Sequence, residues 1–238
     1  MPEQTTERGR ASFSRARIIE AAIRLYRDIG YKKTTVADIA RRASMSSTNV
    51  YRFFSSRQAI EEAVVGTLLE KVSEAAAHAA RSSGSALQRL SAALKAISDL
   101  HADRAANDSK LHELVGVAVR ESWPITLSHA DRIRGIVRPV IAAGQAASEV
   151  RQGSPMTLAC CLLEAMDAYL SPLRITACTV RPTFNEMMDY SARSLCSAAR
   201  GEAIELQPAE ESLQLPNGLQ PAAVATGPDL VSNAKEGR

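Results

Sequence analysis

The sequence predicts an all-α protein, with a small N-terminal helical unit followed by a larger helical domain. Apolar residues recur at the 3.6-residue period of a helix through most of residues 14–200. No segment of useful length alternates between apolar and polar side chains as a half-buried strand would, and the periodic segments are separated by Gly, Ser and Pro. We therefore expect about nine helices and no sheet.

The first two helices are bounded by residues that commonly begin or end helices. The first is predicted to start at Ser14, whose side chain can cap the N-terminus, and to stop at Gly30. The second follows Thr35, and Asp38 three residues later resembles the acidic partner of a capping box. Both helices carry one apolar face.

Serines mark the start of the next two helices. Ser46 can cap a short third helix that extends to Phe53, and Ser55 with Gln58 predicts a capping box that opens a long fourth helix. A proline inside the later pattern, Pro139, is expected to kink its helix. The further helices are predicted near residues 85–101, 107–120, 127–149, 154–171 and 182–200.

Charge and composition divide the chain into four segments. We expect a flexible basic arm at residues 1–13, a small domain at 14–60, a larger domain at 61–200 and a disordered acidic tail at 201–238. Residues 1–60 contain 12 Lys or Arg against 5 Asp or Glu, whereas residues 201–238 contain 2 against 6. A basic module at one end of the chain indicates a polyanionic partner, and a solvated basic face without a partner is the alternative.

Several classes of protein are disfavoured by the sequence. No apolar run approaches the roughly 20 residues that span a bilayer, and the polar N-terminus lacks the apolar stretch of a secretory signal, so we expect a cytoplasmic protein without membrane contact. The four cysteines show no CxxC spacing and are interpreted as buried thiols. With no nucleophile–base pair, metal constellation or phosphate loop, we expect neither enzymatic activity nor a cofactor or metal.

Two short helices joined by a tight turn at residues 44–46 form a helix-turn-helix pattern. In such a motif the second helix lies in the DNA major groove, with its apolar side against the first helix. Asn49 is suited to an adenine edge, whereas Tyr51, Arg52 and Arg57 are suited to phosphate oxygens. The outward-facing residues of the second helix are predicted to be Ser47, Thr48, Asn49, Tyr51 and Arg52.

The segment TTVADIARRASMSSTNVYRFFSSRQAI, residues 34–60, closely resembles the N-terminal motif of the TetR family of transcriptional regulators. This resemblance implies an N-terminal three-helix DNA-binding domain and a larger ligand-binding and dimerisation domain. It also implies DNA contacts from Thr35, Ser47, Thr48, Asn49, Tyr51 and Arg57. Three residues depart from the usual pattern: Ser44 replaces a common turn Gly, Thr48 a frequent Gly or Pro, and Arg57 the usual Lys.

Residues 156–171 form a segment that is apolar over most of a helical circumference. A helix of this kind must be covered on more than one side, so it is expected to meet a second protomer. The resemblance implies a homodimer in which the last two helices, within residues 156–200, build a four-helix interface on a pseudo-palindromic operator. The alternative is a pair of internal helices in a monomeric bundle.

The resemblance further implies a small-molecule effector that releases a repressor from its operator. Large or polarizable side chains often flank cavities, which makes His112, Trp123, Met166 and Tyr169 the candidate ligand-binding residues. The alternative function is a DNA-binding regulator or architectural protein without an effector. The sequence does not identify the effector.

Overall fold

A computed structural model describes residues 3–177 and 180–196, with side chains from residue 11 onward. This part of the chain contains ten α-helices, one 3-10 turn and no strand, which confirms the predicted all-α class. The predicted acidic tail and Cys178 lie outside the described residues. The elements in order are α1 Glu3–Ile29, a 3-10 turn Tyr31–Lys33, α2 Val36–Arg42, α3 Ser47–Tyr51, α4 Arg57–Ala80, α5 Ala86–Asn107, α6 Ser109–Arg120, α7 Pro124–Ala146, α8 Pro155–Ala165, α9 Asp167–Leu170 and α10 Phe184–Leu195.

The first helix begins earlier than the sequence pattern predicts. It starts at Glu3, so Ser14 lies inside the helix, and residues 3–13, expected as a flexible arm, continue α1. The apolar period starts only at Ile18, and a polar helical segment gives no such signal. The helix ends as predicted at Gly30, whose φ of 89° lies in the region that glycine tolerates best.

Helix caps agree with the local sequence signals at the starts of α2 and α3. Thr35 and Asp38 form the predicted capping box, and Ser46 accepts a hydrogen bond from the Asn49 N–H. At the start of α4, however, Ser56 rather than Ser55 is the cap, since its Oγ accepts from the Ala59 N–H. The predicted Ser55–Gln58 box is therefore one residue out of register.

The helices surround two apolar cores. The first is built from α1, α2, α3, α6 and the first half of α4, and it includes Ile18, Val50 and Leu114. The second joins the rest of α4 to α5, α7, α8 and α10. The N-terminal unit therefore does not pack alone: its core extends to Leu69 and takes in α6, beyond the predicted boundary at residue 60.

The later helices follow the predicted order with shifted ends. Helix α7 runs through Pro139, and the predicted helix over 154–171 is divided into α8 and α9 at Met166. The described part of the last helix ends at Leu195, after which Cys196 makes an isolated bridge to Val150. Among the described residues, no helix is long and apolar enough to cross a membrane.

Candidate DNA-binding surface and ligand cavity

The turn between α2 and α3 is closed by backbone hydrogen bonds. The Met45 N–H donates to the Ala40 carbonyl at 2.9 Å and the Ser44 N–H to the Arg41 carbonyl at 3.1 Å, which is the Schellman pattern of helix ends. The backbone of Ser44 adopts the left-handed helical conformation, with a φ of 53°. This position normally favours Gly, so the serine holds the turn geometry at a conformational cost.

Helix α3 presents a polar surface because its apolar side chains point into the first core. Val50 is fully buried and Phe54 nearly so. On the other side Thr48, Tyr51 and Arg52 are exposed, and Ser47 and Asn49 are partly exposed. Tyr51 retains 52% of its surface, so this residue is not a core tyrosine. The structure therefore brings five of the predicted DNA-contacting residues together on one short helix.

The remaining two predicted residues flank α3. Thr35 is exposed at the start of α2, where its side chain also bonds Asp38. Arg57, the first residue of α4, is held within the protein: its Nη2 donates to the Tyr31 carbonyl at 2.5 Å, and its Nε pairs with Glu61 at 2.8 Å. Arg57 therefore joins the start of α4 to the 3-10 turn that follows α1.

The cations around this surface differ in how they are held. Arg41 pairs with Asp38, and Arg42 lies 4.0 Å from Asp28. Arg52 and Lys33 are exposed, and neither forms an ion pair within the described part of the chain. Cations without an acidic partner retain their full charge for a polyanion.

A cavity of about 290 Å³ lies in the larger domain, bounded by residues of α4 through α9. Its wall is mainly apolar, and its polar members include two histidines, His101 on α5 and His129 on α7. The apolar side chains are Leu69, Ile97, Val119, Leu127, Ala130, Ile133, Leu163, Leu170 and Pro172. A volume near the low end of roughly 300–1,000 Å³, typical of ligand sites, fits a small organic molecule.

Both cavity histidines are held uncharged by their surroundings. Burial, together with the nearby Arg104 guanidinium, lowers the pKa of His101 to about 3. Burial, together with Arg132 and Arg104, lowers the pKa of His129 to about 4. Arg104 is itself buried and forms no ion pair with a described residue, and it donates to the Leu68 carbonyl at 3.2 Å.

The four sequence-predicted ligand residues lie elsewhere. Trp123, Met166 and Tyr169 are buried in the two cores, and the Tyr169 hydroxyl donates to the Pro182 carbonyl at 2.5 Å. His112 lines a separate cleft, also of about 290 Å³, and burial lowers its pKa. Choosing candidate ligand residues by the size of their side chains therefore picked out mainly residues of the cores. His101 and His129 carry no sequence signal, because their proximity depends on the packing of α5 against α7.

The outer faces of α8 and α10 carry exposed apolar side chains. Met156 on α8 is 42% exposed and Tyr190 on α10 is 71% exposed. By contrast Met188, Ser191 and Leu195, which also lie on α10, are buried within their own chain. Cys160 on α8 is partly exposed, and Cys161 on α8 and Cys196 after α10 are exposed, so the predicted burial of the cysteines is wrong for these residues. Across residues 3–177 and 180–196, no group of three or more His, Cys, Asp or Glu is placed to hold a metal ion.

Comparison with known proteins agrees with this architecture. Residues 18–64 match the model of the family described as bacterial regulatory proteins, tetR family, and residues 86–189 match the tetracyclin repressor-like C-terminal domain. A search of curated proteins found no match. The two family matches take in more than half of the chain. They define a transcriptional regulator with a helix-turn-helix DNA-binding domain, and the chain belongs to the TetR family.

Solved structures share the fold at low sequence identity. A TetR/AcrR-family regulator from Thermobifida fusca is 23% identical, with a TM-score of 0.57 over 79% of this chain and 98% of its own. The fatty acid degradation regulator FadR from Bacillus halodurans is 13% identical, with a TM-score of 0.55 over 79% and 97%. RolR in complex with the ligand resorcinol is 15% identical, with a TM-score of 0.55 over 79% and 89%.

Proposed function

We propose that this protein is a homodimeric repressor that binds a pseudo-palindromic operator and is released when a small molecule fills the cavity bounded by α4 through α9. The observation that carries the proposal is that one helix, α6, serves both regions. Its Leu111 and Leu114 lie in the core of the DNA-binding domain, and Val119 near its other end lines the cavity. A ligand that moves Val119 therefore acts directly on the packing beneath the helix-turn-helix.

The operator contacts are assigned to the surface around α3. Helix α3 lies in the major groove with Asn49 at base edges, and Tyr51 and Arg52 reach phosphates. The full set of proposed DNA-contacting residues is Thr35, Ser47, Thr48, Asn49, Tyr51, Arg52 and Arg57. A regulator of this kind acts on chromosomal DNA, so its place of action is the cytoplasm.

The dimer is assigned to the outer faces of α8 and α10. Exposed Met156 and Tyr190, with Cys161 between them in the chain, supply apolar surface for a second copy. Two-fold symmetry would place two copies of α3 on one side of the dimer, so that each reads one half-site. A Tyr190→Glu variant is expected to lower the dimer's stability, as measured by sedimentation. Ile29→Glu, at an exposed apolar residue of α1, is the control.

The effector role is supported by the fold as well as by the cavity. RolR, which has the same fold, was solved with a bound ligand, resorcinol. In this chain, α4 also joins the two regions, because Arg57 at its start anchors the Tyr31 carbonyl and Leu69 lines the cavity. The binding energy of a ligand can move the two DNA-binding domains of the dimer only if the ligand fits one arrangement of α4 and α6 better than the other.

The experiment begins with selection of binding sites from a random duplex pool, followed by footprinting. We expect protection of two related half-sites spaced by about one helical turn or a multiple of it. A chemically diverse panel of small molecules is then screened for release of the protein from the selected DNA. Protection of a single asymmetric site, or failure of the protein to select any DNA from the pool, would contradict the operator proposal.

A cavity-filling pair of variants tests the effector role. Ala130 lines the cavity, so Ala130→Leu should abolish release by any effector found while leaving operator affinity within about twofold. Ala143 is an exposed residue of the same helix, and Ala143→Leu should leave both properties unchanged. Full release of the Ala130→Leu complex by the effector would show that the cavity is not the effector site.

A further inference from the structure

The two cavity histidines are each held by one ring nitrogen. His101 Nδ1 lies 3.1 Å from Arg104 Nη1, and His129 Nδ1 lies 3.0 Å from Ser73 Oγ. The His101 side chain is buried, with 1% of the residue exposed, yet it lines the cavity. Neither Nε2 atom has a hydrogen-bond partner among the described side chains and backbone groups. Two polar atoms thus remain unpartnered on rings that line a mainly apolar cavity.

The Arg104 contact fixes the proton on His101. A guanidinium has only donors, so Arg104 Nη1–H must donate and His101 Nδ1 must accept. An imidazole that accepts at Nδ1 carries its single proton on Nε2 while it is neutral. Burial and Arg104 keep the ring neutral by lowering the pKa of His101 to about 3. His101 therefore offers the cavity an N–H donor at Nε2.

The Ser73 contact gives His129 the opposite tautomer. Ser73 Oγ has one hydrogen and two partners, the Leu69 carbonyl at 3.2 Å and His129 Nδ1 at 3.0 Å. A carbonyl oxygen can only accept, so both bonds form when the hydroxyl hydrogen goes to Leu69 and His129 Nδ1–H donates to Oγ. Since the neutral ring has one proton, His129 Nε2 is left as an acceptor.

The remaining charges of the wall do not favour an anionic ligand. Arg134 is paired with Asp131, and Asp167 with Arg174 at 3.1 Å, whereas the exposed carboxylate of Glu164 has no ion-pair partner among the described residues. A carboxylate ligand would meet this uncompensated negative charge. Arg104, which forms no ion pair with a described residue, does not line the cavity but lies behind His101, to which it donates. A hydroxyl group needs no counter-ion, and it both accepts and donates one hydrogen bond.

We propose that the cavity recognises an uncharged, mainly apolar molecule through one hydroxyl group, which accepts from His101 Nε2–H and donates to His129 Nε2. This ligand class, a phenol or an alcohol of similar size, rests on the proposed function of the cavity as the effector site. Both rings line the same cavity of about 290 Å³, in which the Nε2–H of His101 is a donor and the Nε2 of His129 is an acceptor.

Direct calorimetry on the DNA-free full chain, at pH 7.5, tests the ligand class with four matched probes. Phenol can donate and accept, anisole can only accept, toluene can do neither, and benzoate is charged. We expect phenol to bind roughly ten- to a hundredfold more tightly than anisole, because anisole leaves His129 Nε2 unpartnered. Equal binding of phenol and anisole, or tighter binding of benzoate, would overturn the proposal.

Two variants assign the donor and the acceptor. His129→Phe keeps a ring but removes the acceptor, so the preference for phenol over anisole should vanish. His101→Asn keeps an oxygen to accept from Arg104 but lacks the Nε2–H, so phenol and anisole should both bind less tightly. If either variant fails to fold, Ser73→Ala is used, which frees the His129 tautomer and should reduce the preference for phenol. Unchanged selectivity in the folded variants would overturn the assignment.

Operator release is measured separately, so the two proposals can fail separately. Phenol-selective binding without any release of DNA would support the ligand class and contradict the effector role. Release by a charged molecule, abolished by Ala130→Leu, would support the effector role and overturn the ligand class.

Discussion

Arg27 and Asp108 are joined by two hydrogen bonds, from Nε to Oδ1 at 2.5 Å and from Nη2 to Oδ2 at 2.9 Å. The pair connects the last turn of α1 to the residue that precedes α6. The hydrogen bond to Asp108 raises the pKa of Arg27. Lys32 also pairs with Glu113 at 2.7 Å, and Lys110 bonds the Asp28 carbonyl. Helix α6 is thus tied to the DNA-binding domain by charge as well as by its core.

The first prediction tests this connection. Arg27→Gln should change the free energy of unfolding by less than about 1 kcal/mol, because the pair is partly exposed. It should nevertheless raise the effector concentration needed for operator release, since α6 would move with less effect on α1. Release is followed by fluorescence anisotropy of labelled operator. Lys95→Gln, which breaks the Lys95–Asp99 pair within α5, is the control and should leave release unchanged.

The second prediction concerns three serines in left-handed backbone. Ser44, Ser122 and Ser148 have φ values of 53°, 54° and 59°, and each follows the C-terminus of a helix. Ser→Gly at Ser44 or Ser122 should raise the free energy of unfolding by roughly 0.5–1 kcal/mol, because glycine adopts this region without steric cost. The same change at Ser91, inside α5, should lower it by about 0.5 kcal/mol. Urea denaturation measures the free energy of unfolding of the Ser44, Ser122 and Ser91 variants. A loss of stability in Ser44→Gly would show that the left-handed backbone of Ser44 is not strained.

The third prediction compares two buried tyrosines. The Tyr26 hydroxyl has no hydrogen-bond partner within the described protein, and burial raises the pKa of Tyr26. The Tyr169 hydroxyl donates to the Pro182 carbonyl. Tyr26→Phe should therefore leave the melting temperature unchanged or raise it, whereas Tyr169→Phe should cost about 1 kcal/mol. Scanning calorimetry on both variants gives the comparison, and a larger loss at Tyr26 would reverse the assignment.

The fourth prediction is a pH dependence of stability. In the unfolded chain His101 and His129 titrate near 6.5, but in the folded protein burial lowers their pKa values to about 3 and 4. Between these values the unfolded chain binds more protons, so stability falls as the pH drops below about 6.5. Each histidine contributes up to roughly 1.4 kcal/mol per pH unit. Above that pH the two groups contribute no slope.

Urea denaturation from pH 8 to pH 5 measures this loss. His129→Phe should flatten the acid side of the curve, because it removes one of the three histidines whose pKa is lowered by burial, His101, His112 and His129. His78 is exposed on α4, so His78→Gln serves as the control and should retain the slope. A stability curve that is flat from pH 7 to pH 5 would show that the folded protein does not hold these rings neutral.

Features that depend on neighbours in the chain could be predicted from sequence. The Thr35–Asp38 capping box involves residues three apart, and the apolar face of α3 follows from Val50 and Phe54. The predicted start of α1 at Ser14 was wrong because polar residues can extend a helix without an apolar pattern. The cap of α4 was misplaced by one residue, since Ser55 and Ser56 are both acceptable caps and only packing selects between them.

Features that depend on contacts between distant segments could not be predicted. His101 and His129 share a cavity because α5 packs against α7, and their tautomers depend on Arg104 and Ser73. His101 and Arg104 are only three residues apart on α5, but the shared cavity and the contact between His129 and Ser73 leave no periodic trace in the sequence. Arg57 illustrates the same limit, because its bond to the Tyr31 carbonyl forms only when the 3-10 turn after α1 is brought to the start of α4.

The last prediction separates base recognition from phosphate binding. If Asn49 pairs with a base edge, Asn49→Ala should cost about 1–3 kcal/mol on the selected operator and relax the preference at one position of each half-site. Arg52, which has no ion-pair partner among the described residues, should contribute mainly charge. Arg52→Ala is therefore expected to weaken all sequences about equally and to reduce the slope of log affinity against log salt by roughly one.

Arg57→Ala should combine this uniform loss of affinity with a loss of stability, because it leaves the mostly buried Glu61 carboxylate without its partner. Affinities for a series of operator variants at several salt concentrations, with melting temperatures of the free proteins, distinguish the three residues. A change in sequence preference caused by Arg52→Ala, with a uniform loss caused by Asn49→Ala, would reverse the proposed docking of α3. The family assignment would be unaffected by that result, since it depends on the matches over residues 18–64 and 86–189.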